Sequence, residues 1–145
     1  MKNLLLAIDF EEHAAKLLKV TESLALGLTD AKVWLVHVSA PDPDFVGMDA
    51  GPQVVRENRA AELHGEHRRL QEWTRQMKKK GIEAESLLIQ GPTVETLLAK
   101  QAELGIDMLI MGSHSHSWLF KALIGSTRDA LMREQDIPTL LVPLD

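Results

Sequence analysis

NLLLAID, the stretch from Asn3 to Asp9, is a continuous apolar run that ends in a carboxylate. A strand has this pattern when helices cover both of its faces, whereas a strand with one solvated face alternates apolar and polar residues. VWLVHVS at Val33–Ser39 and IDMLIMG at Ile106–Gly112 are similar apolar runs. These stretches predict the inner strands of a parallel sheet that is covered on both sides.

Helical segments separate the predicted strands. Apolar residues recur at helical spacing from Ala14 to Leu28, and a long polar helix ends in KKKG with Gly81 as its C-terminal cap. The other predicted elements are the broken loop Ala40–Pro52, the strand Glu83–Ile89, a helix from the GPT at 91–93 to about Leu104, a last helix in STRDALMRE at 126–134, and the strand Ile137–Pro143.

Five strands therefore alternate with four helices along 145 residues. Such alternation implies right-handed crossovers between parallel strands, and hence a three-layer α/β sandwich with a five-stranded parallel sheet. The length suits one domain, residues 1–145.

Composition narrows the possible functions. The net charge of −5 argues against generic binding to nucleic-acid phosphates, and the absence of cysteine excludes disulfides, thiolate catalysis and Cys-ligated metals. The first apolar run, Leu4–Ile8, is too short for a signal peptide or a membrane span. We expect a cytoplasmic protein without nucleic-acid or membrane partners.

Ligands of open α/β sheets bind beyond the carboxyl ends of the strands, where strand order reverses. The turn after the first strand, DFEEH, has no glycine, and GxxxxGK[ST] does not occur. Glycine instead follows the fourth strand, at Gly112 and in Gly125-Ser126-Thr127 before the last helix. Free N–H groups at a helix start suit phosphate, although these residues alone favour the simpler interpretation that Ser126 or Thr127 caps the helix.

The strand ending in IMGSH, the following loop, the GST and the final PTLLVP together resemble the universal stress protein family, whose nucleotide-binding members carry G-x2-G-x9-G-[ST]. The resemblance also covers LLLAIDFEEHA, LVHV and GPTVETLLAKQAELGIDMLIMGSH, and so extends along the whole chain. With it we expect strand order 3-2-1-4-5 and an adenine nucleotide alpha hydrolase-like fold.

The resemblance implies a ligand and a set of residues that bind it. The ligand is ATP or another adenine nucleotide, with Mg²⁺ and no structural metal. Position by position, Asp9 faces the base and ribose, the Val38 backbone reads adenine, Gly112 and His114 line the ribose–phosphate region, and Gly125, Ser126 and Thr127 hold phosphates.

One position departs from the family motif. Ser115 replaces the second glycine, while the nine-residue spacing from His116 to Ile124 is intact. If this backbone position needs positive φ or a close phosphate, the serine side chain costs about 1 kcal/mol or more. We expect nucleotide binding that is weakened rather than lost.

Several residues also have structural interpretations. Asp9 with Glu12 resembles a helix capping box, and His114 with His116 forms an H-x-H pair without an identifiable third metal ligand.

Two functions remain open. One is a stress-response sensor or switch that binds ATP or another adenine nucleotide. It is at most a slow ATPase, because the loop shows no obvious general base and no dedicated magnesium carboxylate beyond Asp9. The alternative is a family member that binds no nucleotide and acts as a dimeric protein-interaction module with an unidentified partner. In both, we expect a homodimer through the last strand, Ile137 to Val142, because an apolar sheet edge invites pairing. An unrelated α/β enzyme using the histidines has no supporting nucleophile or carboxylate pair.

Overall fold

The structure is a computed structural model, and it describes residues 2–8, 13–37, 53–87, 93–113 and 138–144. Within these ranges lie five strands and three helices. The fourth predicted helix, the STRDALMRE segment, lies outside the described residues. The elements are β1 (Asn3–Ile8), α1 (Ala14–Gly27), β2 (Lys32–His37), α2 (Gln53–Lys79), β3 (Glu83–Leu87), α3 (Thr93–Leu104), β4 (Met108–Ser113) and β5 (Thr139–Pro143).

The five strands form one parallel sheet in the order β3-β2-β1-β4-β5, which confirms the predicted topology. β1 lies at the centre, as its uninterrupted apolar sequence requires, and every residue from Leu4 to Ile8 is buried. The chain moves outward from β1 to β2 and β3 and then returns to the other side of β1 as β4. Strand order therefore reverses between β1 and β4.

Two apolar clusters cover the two faces of this sheet. One contains Leu6 and Ile110 from the sheet, packed with Leu17 of α1 and with Leu70 and Met77 of α2. The other contains Leu5 and Leu109 with Leu97 of α3. Successive residues of a strand point to opposite faces, so each central strand contributes to both clusters. Helices on both faces make the three layers that the sequence predicts.

Glycines end two of the helices. Gly81 has φ +86°, and the N–H of Ile82 after it bonds back to the carbonyl of Met77 at 3.0 Å, as predicted for a C-terminal cap. Gly105 has φ +64°, and the Ile106 N–H bonds to the Gln101 carbonyl in the same way. The turn at Gly105 explains why β4 begins at Met108 and not at Ile106, since Ile106 still belongs to the cap of α3.

Asp107 ties the start of β4 to the start of β1. Its carboxylate accepts hydrogen bonds from the backbone N–H groups of Lys2 (2.8 Å) and Asn3 (2.9 Å), while its own N–H donates to the Asn3 carbonyl at 2.8 Å. The Asn3 amide donates in turn to the Gly105 carbonyl at 3.2 Å. These bonds align the two central strands at the amino edge of the sheet, and thereby set where they end at the opposite edge.

Candidate functional site

The carboxyl ends of β1, β2 and β4 lie side by side at one edge of the sheet, which we call the carboxyl edge. Ile8, the last residue of β1, is opposite His37, the last residue of β2, and Ala7 is opposite Met111 of β4. Strand order reverses between β1 and β4, and open α/β sheets bind ligands beyond the carboxyl ends of the strands at such a reversal.

Gly112 is the one predicted site residue that the structure describes. It is a buried residue of β4, one position before the strand ends at Ser113. Asp9, Val38, His114, Ser115, Gly125, Ser126 and Thr127 lie outside the described residues, so their roles stay predictions. Asp9, Val38 and His114 nevertheless follow directly on Ile8, His37 and Ser113 in the chain.

Gly112 has a packing reason to be glycine. A Cβ atom at this position would overlap Cδ1 of Leu144, and would lie 3.0 Å from its Cγ and 3.7 Å from Cδ1 of Leu17. Leu144 is itself buried, just after β5, in the cluster that contains Leu17. The missing side chain therefore makes room for a leucine on the α1 face of the sheet, a role that the motif does not suggest.

Sequence reasoning also missed Lys16 at this edge. Its ammonium donates a hydrogen bond to the carbonyl of Pro143, the last residue of β5. The bond joins the first turn of α1 to the end of the outer strand. No sequence motif identifies this contact, because Lys16 and its partner lie more than a hundred residues apart in the chain.

The start of α1 faces the same edge, because α1 follows the carboxyl end of β1. His13 occupies the N-cap position without a side-chain capping bond, and the first turn contains no acidic residue. The positive end of the helix dipole is therefore not offset by a carboxylate in this turn, a property that favours nearby anions. The predicted capping box, Asp9 with Glu12, lies outside the described residues.

Among the described residues, the carboxyl group with a clearly shifted pKa lies far from this edge. Backbone N–H bonds from Asn3, and then from Lys2, lower the pKa of Asp107 at the amino edge of the sheet. Within the described ranges no group of three or more His, Asp or Glu residues is placed to hold a metal ion. In the same ranges no helix combines the length and the apolar character needed to cross a membrane.

The sequence matches the family model described as "Universal stress protein family" over residues 1–143. The chain belongs to the universal stress protein family. A universal stress protein from Thermus aquaticus is 28% identical over 97% of this chain and 98% of its own length. One from Synechocystis sp. is 36% identical, but over 44% of this chain and 22% of its own length.

Solved universal stress protein structures have the same fold. A family protein from Arabidopsis thaliana, described with AMP bound, has a TM-score of 0.65 at 13% identity and covers all of this chain and 93% of its own. A universal stress protein in complex with cAMP has a TM-score of 0.57 at 16% identity, and the match covers 99% of this chain and 98% of that one. These likenesses establish the architecture of the universal stress protein described above.

Proposed function

We propose that this universal stress protein binds an adenine nucleotide at the carboxyl edge and acts as a cytoplasmic stress-response sensor or switch. The observation that carries the proposal is the side-by-side ending of β1, β2 and β4 at the reversal of strand order. The residues that follow these strands are Asp9, Val38 and His114. We assign Asp9 to the ribose and base, the Val38 backbone to adenine, and His114 to the ribose–phosphate region.

The phosphates, in this proposal, bind to Gly125, Ser126 and Thr127. Small and hydroxyl residues at a helix start offer free backbone N–H groups and hydroxyl donors to phosphate oxygens. The positive end of the α1 dipole faces the same edge, and the first turn of α1 contains no acidic residue. Support also comes from the two solved structures described with AMP and with cAMP. Both ligands consist of an adenine ring attached to a phosphorylated ribose. We propose ATP or another adenine nucleotide, with Mg²⁺ when a polyphosphate is bound.

Binding, and not efficient turnover, is the proposed activity. Hydrolysis of a phosphoanhydride needs a group that orients water and carboxylates that hold the metal ion. Asp9 is the only carboxylate among the proposed site residues. We therefore expect any ATPase activity to be slow compared with release of the bound nucleotide.

The first experiment asks whether the purified protein carries or binds a nucleotide. Protein is denatured, and the released nucleotides are identified by mass spectrometry. Titration calorimetry with Mg-ATP, AMP and cAMP then gives the affinities. We expect an adenine nucleotide to be released or to bind with a Kd below about 1 mM. A protein that carries no nucleotide and binds none of the three at millimolar concentration would refute the proposal.

A charge variant locates the site. Gly125→Glu places a carboxylate where phosphate is proposed to bind, and we expect it to weaken Mg-ATP binding at least about tenfold. Gly27→Glu is the matched control, because Gly27 ends α1 far from the carboxyl edge and a Cβ added there would have no heavy atom within 4 Å. Equal losses in both variants would show that net charge, and not this site, governs binding.

The second candidate function is a dimeric interaction module that binds no nucleotide. Ser115 in place of the second motif glycine favours it. The position of β5 at the sheet edge, with Leu141 36% exposed, favours pairing with a second copy through Ile137 to Val142. A dimer that lacks nucleotide and keeps its partner binding in Gly125→Glu would favour this candidate over the first.

A further inference from the structure

A groove of about 470 Å³ runs between the outer surfaces of α1 and α2. The α1 wall is built by residues between Ala14 and Glu22, and the α2 wall by residues between Trp73 and Lys80. Both helices pack against the same face of the sheet, so the groove opens away from the core. It lies outside the proposed nucleotide site.

The α1–α2 groove has an apolar strip beside polar side chains. Its lining residues are Ala14, Ala15, Leu18 and Trp73 on the strip, and Lys19, Glu22, Gln76 and Lys80 around it. Leu18 and Trp73 are half-buried, since each packs against the core cluster with part of its surface and lines the groove with the rest. Ala15 also lines the groove; it is exposed, and its side chain is short enough to let a partner approach closely. A concave strip with an aromatic wall and a small residue is the form of surface that receives an amphipathic helix.

The rim of the groove is cationic. Lys80 bonds to Glu22 at 2.7 Å, and Glu22 is the more buried partner, with 15% of its side chain exposed against 54% for Lys80. An ammonium group has three donors, so Lys80 retains donors toward solvent after this bond. Lys19 is exposed on the facing helix and has no ion-pair partner among the described residues.

The α2 segment beside the groove has an excess of positive charge. Residues 65–81 contain six Lys and Arg side chains against two Glu, although the whole chain has a net charge of −5. A cationic surface on an acidic protein favours a partner with negative charge, because complementary potentials steer association and determine orientation.

We propose that the α1–α2 groove is a docking site for an acidic amphipathic helical segment of a partner protein. Apolar side chains of that segment enter between Leu18 and Trp73, and its carboxylates pair with Lys19 and Lys80. A bilayer engages apolar side chains that project outward. Leu18 and Trp73 are instead half-buried between two helices, so a peptide fits better than a bilayer. It also fits better than single-stranded nucleic acid, which stacks on accessible aromatic faces, whereas Trp73 is half-buried.

The test uses the full chain without nucleotide and a synthetic peptide of about 18 residues, five helical turns long, with Leu at helical spacing and Glu elsewhere. Binding is followed by ¹H–¹⁵N NMR and by fluorescence anisotropy of the labelled peptide. We expect the amides of Leu18, Lys19 and Trp73 to shift most, with a Kd below about 1 mM. Peptides with Lys in place of Glu, or Ser in place of Leu, should bind at least about tenfold more weakly.

Paired variants separate the groove from its surroundings. Lys19→Glu reverses the rim charge and Ala15→Gln fills the groove, and each should weaken binding at least about fivefold. Lys78→Glu reverses a charge on α2 outside the groove, and Ala99→Gln makes the same neutral change on the exposed side of α3. Ala99→Gln should change the affinity less than about twofold, and Lys78→Glu, which lowers only the charge around the groove, should weaken binding clearly less than Lys19→Glu. All four positions are exposed, so the variants should keep the wild-type NMR spectrum elsewhere.

Several outcomes would overturn the proposal. If the Lys-substituted peptide bound as tightly as the Glu peptide, charge would not determine binding. If Lys78→Glu lost as much affinity as Lys19→Glu, the attraction would be non-specific. Absence of peptide binding at about 1 mM would exclude the groove as a helix-docking site. Binding to phosphatidylglycerol vesicles without binding to the peptide would instead indicate a membrane surface. Nucleotide binding does not enter this test, so its result stands independently of the proposed function.

Discussion

Gly112→Ala tests the most specific contact at the carboxyl edge. The new Cβ would overlap Leu144 Cδ1 and would lie 3.0 Å from Leu144 Cγ. Gly112 does not have a positive φ, so alanine meets no backbone strain there. The cost is therefore one of space, and overpacking of this kind typically costs about 1 to 3 kcal/mol. This destabilisation should not exceed the cost of expelling Leu144 from the core, because burying a leucine contributes about 1.5 to 3 kcal/mol.

A double-mutant cycle isolates this contact. Leu144→Ala alone loses apolar burial and should lower the free energy of unfolding by about 2 kcal/mol. In that background Gly112→Ala meets no leucine, and it should be neutral or stabilise by about 0.4 to 1 kcal/mol through the unfolded chain. We expect a coupling free energy of about 1 to 3 kcal/mol between the two positions.

Urea unfolding measures the cycle, followed by circular dichroism and by fluorescence of the three tryptophans at one fixed protein concentration. The wild type, both single variants and the double variant are compared at pH 7. Equal destabilisation by Gly112→Ala with and without Leu144 would refute the reasoning. It would mean that the glycine is required by the backbone, or by something other than the leucine.

Three further predictions concern other parts of the molecule. Asp107→Ala should destabilise by about 1 kcal/mol at pH 7, where the ionised carboxylate bonds to exposed backbone N–H groups. Because the pKa of Asp107 is lowered in the folded protein, the wild-type advantage should be present above about pH 4 and be lost as the pH falls through the lower folded value; an advantage that does not shrink as the pH falls below about 4 in urea titrations contradicts this. Leu141→Lys places a charge on the exposed edge of β5 and should convert a dimer to a monomer in light scattering, and a monomeric wild type would count against the proposed dimer. Ser115→Gly should raise Mg-ATP affinity about fivefold to tenfold in calorimetry if the serine side chain strains the loop, and an unchanged affinity would show that the serine costs nothing.

Much of the fold could be predicted because its signals are local. Uninterrupted apolar strands, helical spacing from Ala14 onward, and glycine at 81 and 105 depend on residues a few positions apart. The predicted strand ends at Asp9, Ser39 and Ile89 lie outside the described residues and stay predictions. Within the described residues, one start was less accurate, because β4 begins at Met108 and not at Ile106. Apolar character does not mark the residue at which inter-strand hydrogen bonding begins.

The candidate site was predictable in part. The strand ends that precede Asp9, Val38 and His114 lie together as topology rules require, because parallel strands of one sheet share a carboxyl edge. Gly112 was assigned to the ligand from a motif, whereas its packing against Leu144 was not foreseen. A motif shows that glycine is present at a position. It does not show whether a ligand or a packed side chain such as Leu144 leaves no room for a larger residue.

The sequence by itself determined the α/β class, the alternation of elements and the family, because each depends on patterns read along neighbouring residues. Only the tertiary structure decided that Leu144 packs on Gly112, that Lys16 bonds to Pro143, and that α1 and α2 form a groove. These contacts join residues from distant parts of the chain. They depend on how helices rest on the twisted sheet and on which side chains fill the space between them, and this packing has no period along the sequence.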